Sequence, residues 1–278
     1  MAKAAHESET GRRVLRAYSL ARSHLGRHEG LSPIYESALE WQENQFISLL
    51  GWIEGTPLSE FAGVFPLLAE EQDEPSAESL AVRFLQRTCQ ALDVLHRNGL
   101  THGDVSPRNL IVSGNSLVLT DYDFVTRIGD PAPAPGTVVY CCPSRQQKNP
   151  TKPCDDLFAL AASFFHVLFE KEPFRYSGEF AKERGLNWSE TNRAEYPILA
   201  EILNRATHPD PDQRYTSATE MLQALRKNDR ATGGDMSGNE AAAVTSDNEG
   251  VDESSKVALT EQRVDWLKSL LQSYPGSR

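Results

Sequence analysis

Long apolar runs are missing from this sequence. Nothing in its 278 residues approaches the roughly 20 consecutive apolar residues of a membrane-spanning helix. The first ten residues, ending at Thr10, hold no apolar core of the kind a secretory signal needs. A membrane partner and an exported route are therefore not expected. Cysteine is scarce: the four residues Cys89, Cys141, Cys142 and Cys154 are too few for a disulfide framework and lack the paired spacing of a zinc site. They read as small apolar residues in a reducing, cytoplasmic setting. Positive charge is also short. With 28 Lys and Arg against 39 Asp and Glu the net charge is −11, which argues against nucleic acid as a partner. Lysine is almost absent from the first hundred residues, where Lys3 stands alone and outside any strand pattern. What remains, 39% apolar and 24% charged residues, is the composition of an ordinary globular chain with room for one sizeable core and a tail.

The informative stretch runs from residue 100 to residue 125. A helical apolar pattern from Leu80 to Arg97 stops at Asn98 and Gly99, a common helix exit. A loop with His102, Asp104 and Asn109 follows. Then two short apolar runs, Leu110–Val112 and Leu117–Leu119, are joined by Ser113, Gly114, Asn115 and Ser116, the pattern of a β-hairpin. Asp121 comes directly after the second run. Two carboxylates and an amide thus sit at the ends of one small hairpin. Asn109 and Asp121 offer the oxygen ligands that Mg²⁺ takes, and Asp104 is free to orient a hydroxyl and accept its proton.

This spacing, His102-Gly103-Asp104 with Asn109 five residues on and then Asp121-Tyr122-Asp123, resembles the catalytic loop and metal-binding segment of protein kinases. The resemblance continues in family order from Leu31 to about Arg226. It implies an α+β fold of the protein-kinase type, with a mostly helical C-lobe at about 56–228 and an incomplete N-lobe sheet at about 11–53. It also implies Asp104 as proton acceptor, Asn109 and Asp121 as Mg²⁺ (or Mn²⁺) ligands, and ATP as phosphoryl donor. Asp123 is the rival metal ligand; Asp121 is preferred because it keeps an aromatic, Tyr122, next in sequence to pack on His102. Strand candidates Pro33–Leu39 and Phe46–Ile53 around a turn at Glu40–Asn44 match the last N-lobe strands. By that alignment Leu50 lies behind adenine, the backbones of Gly51 and Ile53 meet its edge, and Ile111 packs beneath it. Gly136 to Ser144 resembles the substrate-docking segment, with Thr137 placed near Asp104 as in serine/threonine kinases. Asp156 matches the residue that caps the catalytic loop's amides.

Several positions depart from the family. No G-x-G-x-x-G precedes residue 50, and the strand Lys and helix Glu are not found at their usual places, between Glu9 and Glu29 in the case of the Glu. About 40–60 residues of N-lobe are expected to lie outside the chain, judged from the size of such a half-domain. Gly103 replaces an Arg, so activation by phosphorylation of the activation segment is not expected. Ser106 replaces a Lys that neutralises the transferred phosphoryl group. Ser144 replaces a Glu, which leaves Arg214 to pair with Asp156 or with a backbone carbonyl. Residues 229–256, rich in Gly, Ser, Asn and Asp, read as a disordered acidic linker. Residues 257–274 read as an amphipathic helix, the start of a further domain; this layout resembles large bacterial phage-defence kinases. The leading expectation is a serine/threonine protein kinase domain, part of a longer kinase, acting on a Ser/Thr protein substrate, with the missing N-lobe a possible partner. The alternatives are a pseudokinase that binds without catalysis and, from the Gly103 and Ser106 pattern, a small-molecule phosphotransferase.

Overall fold

The computed structural model describes residues 2–6, 9–40, 45–175 and 179–231. The expected helix at 257–274, most of the expected linker and the turn at 41–44 lie outside the described residues.

The chain opens with β1 (Ala2–His6), α1 (Glu9–His24), β2 (Ile34–Glu40) and β3 (Gln45–Leu50). In α1 the spacing of Val14, Ala17, Tyr18 and Ala21 puts one buried stripe along the helix, and Arg22 and His24 sit in the last turn, where positive charge suits the helix dipole. β2 and β3 pair antiparallel as the two apolar runs imply. β1 was not legible: it pairs antiparallel with the other edge of β3, giving the order β1-β3-β2, and sets Lys3 opposite Ser48. The reading of Lys3 as lying outside any strand is therefore corrected, and the sheet begins earlier than residue 11. A five-residue segment of mostly small residues carries little strand pattern of its own; pairing with β3 makes it one.

β4 (Thr56–Pro57) leads through a 3₁₀ turn at Leu58–Phe61 to α2 (Phe65–Glu71) and α3 (Ala77–Arg97). Ser76 caps α3, its Oγ accepting the Ser79 N–H at 3.1 Å. Gly99 leaves the helix at φ +72°, which glycine adopts without a Cβ penalty. Then come β5 (Leu100–Thr101), β6 (Leu110–Ser113), β7 (Ser116–Leu119) and β8 (Thr126–Arg127). β6 and β7 form the expected hairpin, Ile111 opposite Val118, and β4 adds to its edge with Pro57 opposite Ile111. The helical remainder is α4 (Pro143–Gln146), α5 (Pro153–Phe169), α6 (Glu190–Glu195), α7 (Pro197–Ala206) and α8 (Ala218–Ala231). α8 runs through Ala231, into the first residues assigned to the linker.

α5 is apolar nearly all round and buried accordingly, with Leu157, Phe158, Leu160, Phe164 and Phe165 inside. One continuous core reaches from Val14 on α1 to Leu225 on α8. The small sheets and the helix bundle are laced together beside the hairpin. Leu119 N–H donates to Gly30 O at 2.9 Å and Ser32 N–H to Leu119 O at 3.0 Å. Among the described residues no helix is long and apolar enough to cross a membrane. All four cysteines are buried free thiols, and burial pushes Cys142 up to about 12 and Cys154 up to about 11. None is poised as a thiolate nucleophile.

Candidate active site

The loop from His102 to Asn109 is held from below. Asp156, in the first turn of α5 and fully buried, accepts the His102 N–H through Oδ2 and the Gly103 N–H through Oδ1, both at 2.8 Å. His96, from the last turn of α3, adds Nε2 to Asp156 Oδ2 at 3.0 Å. One carboxylate thus joins two helices to the loop, as expected of Asp156. The His102 ring is buried. Its Nδ1 accepts the Asp104 N–H at 3.3 Å, so its own proton sits on Nε2 and goes to Thr120 O at 3.1 Å. Burial lowers the His102 pKa, which keeps that neutral tautomer in place. Tyr122 packs on the ring, centroids 5.8 Å apart, and donates its hydroxyl to Ser32 O at 2.7 Å.

Asp104 and Asn109 meet directly. The Asn109 amide nitrogen donates to the Asp104 main-chain carbonyl at 2.9 Å and to Asp104 Oδ2 at 3.0 Å. With both amide protons spent this way, the amide oxygen is the atom left to face outward. That is the orientation a cation ligand needs, so the donor set fits Mg²⁺ on this side. Asp104 Oδ1 accepts the Thr137 N–H at 2.6 Å. Thr137 is thus placed at Asp104, but by its backbone amide.

Thr120 N–H donates to Asn109 O at 2.8 Å, which ties the end of β7 to the loop and brings Asp121 alongside. Asp121 stands at φ +65°, a left-handed conformation that Asp tolerates better than most residues. Asp123, the rival ligand, is not in that region. Tyr18, from α1, donates its hydroxyl to Asp121 Oδ1 at 3.2 Å. Burial and then the charges of Asp121 and Asp123 drive the Tyr18 pKa upward, so it remains a donor. This contact was missed. Between Glu9 and Glu29 there is no carboxylate, and the α1 side chain that reaches Asp121 is a phenol. Arg13, also on α1, lies over the Phe124 ring with 4.6 Å from Cζ to the centroid.

The candidate adenine contacts gather at the hinge after β3. Gly51 N–H donates to Pro33 O at 2.8 Å, so a ligand edge at this residue meets its carbonyl. A Cβ on Gly51 would stand 2.4 Å from Pro33 Cγ, which requires glycine here. A Cβ on Gly55 would meet Val112 O at 2.2 Å and Ile111 Cγ2 at 2.9 Å, so the hinge lies directly against β6. Ile53 and Ile111, both half-buried, are thereby on the same side of the molecule.

Ser106 is buried and carries no charge, and Arg108 is exposed beside Tyr140. Ser144 Oγ donates to Asp155 Oδ1 at 3.1 Å, and Cys142 Sγ reaches the same oxygen at 3.0 Å. Of the two acceptors considered for Arg214, backbone carbonyls serve: Nε donates to His208 O at 2.6 Å and Nη2 to Pro209 O at 3.1 Å. Its guanidinium also covers Phe158 at 4.9 Å. Among the described residues no group of three His, Cys, Asp or Glu side chains converges as a metal site would. A cation held by Asn109 and Asp121 takes its remaining ligands from water and phosphate, as Mg²⁺ commonly does.

Comparison with known proteins agrees with this arrangement. The family model described as "Protein kinase domain" matches residues 28–227. Serine/threonine-protein kinase D of Synechocystis sp. is 27% identical over 214 residues, 72% of this chain and 39% of its own length. Serine/threonine-protein kinase PknB of Mycolicibacterium smegmatis is 26% identical over 167 residues, 55% of this chain and 27% of its own length. The chain thus spans well under half the length of these relatives. Among solved structures, the kinase PK-1 of Cydia pomonella granulovirus aligns with a TM-score of 0.62 at 16% identity, covering 80% of this chain and 83% of that one, a likeness of fold.

Proposed function

The chain belongs to the protein kinase domain family, and from that premise we propose that it transfers the γ-phosphoryl group of ATP to a Ser or Thr hydroxyl of a protein. Asp104 is the proton acceptor, and Asn109 and Asp121 hold Mg²⁺ or Mn²⁺. The observation that supports the reading is the pair of hydrogen bonds from the Asn109 amide nitrogen to Asp104, which brings the two side chains together. When bound, the cation neutralises charge on the phosphate oxygens.

The protein's part is positional. Asp104 is an acceptor steadied by two N–H donors, Thr137 on Oδ1 and Asn109 on Oδ2. A carboxylate has about four lone-pair sites, so it retains room to take a substrate hydroxyl and its proton. Asp156 and neutral His102 hold the loop still from beneath. Gly51 and Ile53 present main chain to the adenine edge, with Ile111 beneath the ring. The uncharged Ser106 lacks the cation that relatives of this fold place near the phosphoryl group. A lost electrostatic donor of this kind costs about 3 kcal/mol, so turnover is expected to be slow. The docking segment around Thr137 and the likeness to serine/threonine-protein kinases both support a protein Ser/Thr acceptor over a small molecule.

Transfer of labelled γ-phosphate from ATP to a Ser/Thr protein pool tests the reading. The full chain with Mg²⁺ or Mn²⁺ is expected to label phosphoserine or phosphothreonine, and Asp104→Asn to lower that by a factor of at least about 100. No transfer with either cation, or equal transfer by Asp104→Asn, rejects it.

A further inference from the structure

We propose that Arg145 is a positioning residue for Asp104: its guanidinium fills the side-chain space that Gly103 leaves open and ties the docking segment to the loop carrying the proton acceptor. The kinetic consequence rests on the phosphoryl-transfer reading; the packing claim does not.

Gly103 stands at φ +82°. A Cβ built on it would lie 2.1 Å from Arg145 Nη2 and 2.7 Å from Arg145 Cζ. The two residues interlock, and the notch exists only because residue 103 has no side chain. Arg145 comes from α4, the short helix that closes the docking segment, and is only 2% exposed. Its Nη2 donates to Phe124 O at 3.4 Å, three residues beyond Asp121. The guanidinium therefore touches the catalytic loop and the metal segment while riding on a third piece of chain.

Nε and Nη1 of Arg145 are buried with no hydrogen-bond partner. Arg145 also lines a cavity of about 10 Å³, room for one water, together with Gly103, Asp104, Thr137, Asp155 and Asp156. Arg145 is the cation in that lining, among three carboxylates. Each carboxylate is already engaged elsewhere: Asp104 with Thr137 and Asn109, Asp155 with Cys142, Ser144 and the Lys152 N–H, Asp156 with His96 and two loop amides. A buried guanidinium with unspent donors is a poor source of stability, because an apolar residue of similar size commonly serves as well or better. Its plane fixes where the Asp104 loop can sit, through the close approach to Gly103 and the bond to Phe124 O. Close packing over the same loop continues at Gly136, where a Cβ would meet Gly103 O at 2.6 Å. The docking segment cannot shift without moving Arg145 out of the notch.

The interlock is tested by a four-corner cycle of Gly103→Ala and Arg145→Ala in the full chain, read by thermal unfolding. Gly103→Ala carries its backbone cost and its 2.7 Å approach to Phe124 O in both backgrounds, but the clash with the guanidinium only where Arg145 is present. It is expected to lower Tm in both, and by more where Arg145 is present. Equal losses overturn the proposal. Positioning is tested with Arg145→Met and Arg145→Lys, which keep volume. In Arg145→Met, amide exchange at Thr137 is expected to speed at least tenfold while amides in the middle of α3 do not change, whether or not the protein turns over. kcat is expected to fall at least tenfold with the KM for ATP within twofold, and Arg145→Lys to recover part of it. Unaltered exchange at Thr137, or unaltered kcat in an active protein, overturns the proposal. Coupling in the cycle and faster exchange in a protein that transfers no phosphate uphold the interlock and reject the phosphoryl-transfer reading alone.

Discussion

At Asp156 two opposing influences act on one carboxyl. Burial pushes its pKa up; the hydrogen bond and charge of His96, the charge of His102 and the Gly103 amide outweigh that and leave it below the ordinary 3.8. The unfolded carboxyl therefore takes a proton at higher pH than the folded one. Its stabilisation is fully present above the ordinary value and is lost as pH falls through the depressed one. Approach to the isoelectric point near 5.2 changes overall repulsion at the same time, so the informative quantity is a difference between proteins. The unfolding midpoint of the wild type should exceed that of Asp156→Asn above about pH 5 and the gap should close in the acid range. A gap that stays constant or widens toward acid contradicts this account of the carboxylate. Asp156 was legible as a loop cap because its place after Cys154 and Asp155 fits the family order. Its His96 partner was not, since 60 residues separate them and only the packing of α3 against α5 brings them together.

Among the elements, the docking segment shows most clearly what pattern reading finds and loses. Its sequence marked Thr137 for Asp104, and the contact is present at 2.6 Å. Its other anchor is Lys182, a buried lysine whose Nζ donates to Val138 O at 2.8 Å and also to Cys141 O, with the Phe174 ring 5.8 Å away. Burial lowers the Lys182 pKa. Nothing in the sequence around Lys182 announces this: a lysine reads as surface until the fold closes over it. Val138 and Val139 are exposed beside these anchors. Lys182→Met removes the second anchor without disturbing the nucleotide side. It should raise the KM for a protein substrate several-fold and leave the KM for ATP unchanged, measured by varying each substrate in turn. An equal rise in both, or in neither, would remove Lys182 from this role. The long helices α3 and α5 and the β6–β7 hairpin were readable because their apolar periods and exits are local. β1 and the Arg145 notch were not, because each exists only through a distant partner.

Across the whole molecule, the candidate site lies where the small sheet and α1 meet the helical bundle. From one side come Tyr18 to Asp121 and Ser32 to Tyr122; from the other, His96 and Asp156 hold the loop. Asp104, Asn109 and Asp121 were legible because their chemistry and spacing fall within 18 residues of one loop and hairpin. Tyr18 and Ser32 were not, since they lie 103 and 90 residues before Asp121 and Tyr122, the residues they hold. The strand lysine that looked absent has a counterpart in position: β1 sets Lys3 beside β3. On α1, by contrast, Tyr18 meets the metal segment where a carboxylate was sought. Asn109 and Asp121 stand as the proposed metal half of a phosphoryl-transfer site. Calorimetric titration of ATP, with saturating Mg²⁺ and again with a chelator, tests that claim most directly. The wild type should bind at least tenfold more tightly with Mg²⁺, and Asp121→Asn should erase that gain while keeping the metal-free affinity. Equal affinity with and without Mg²⁺ in the wild type, or a gain that survives in Asp121→Asn, would contradict it.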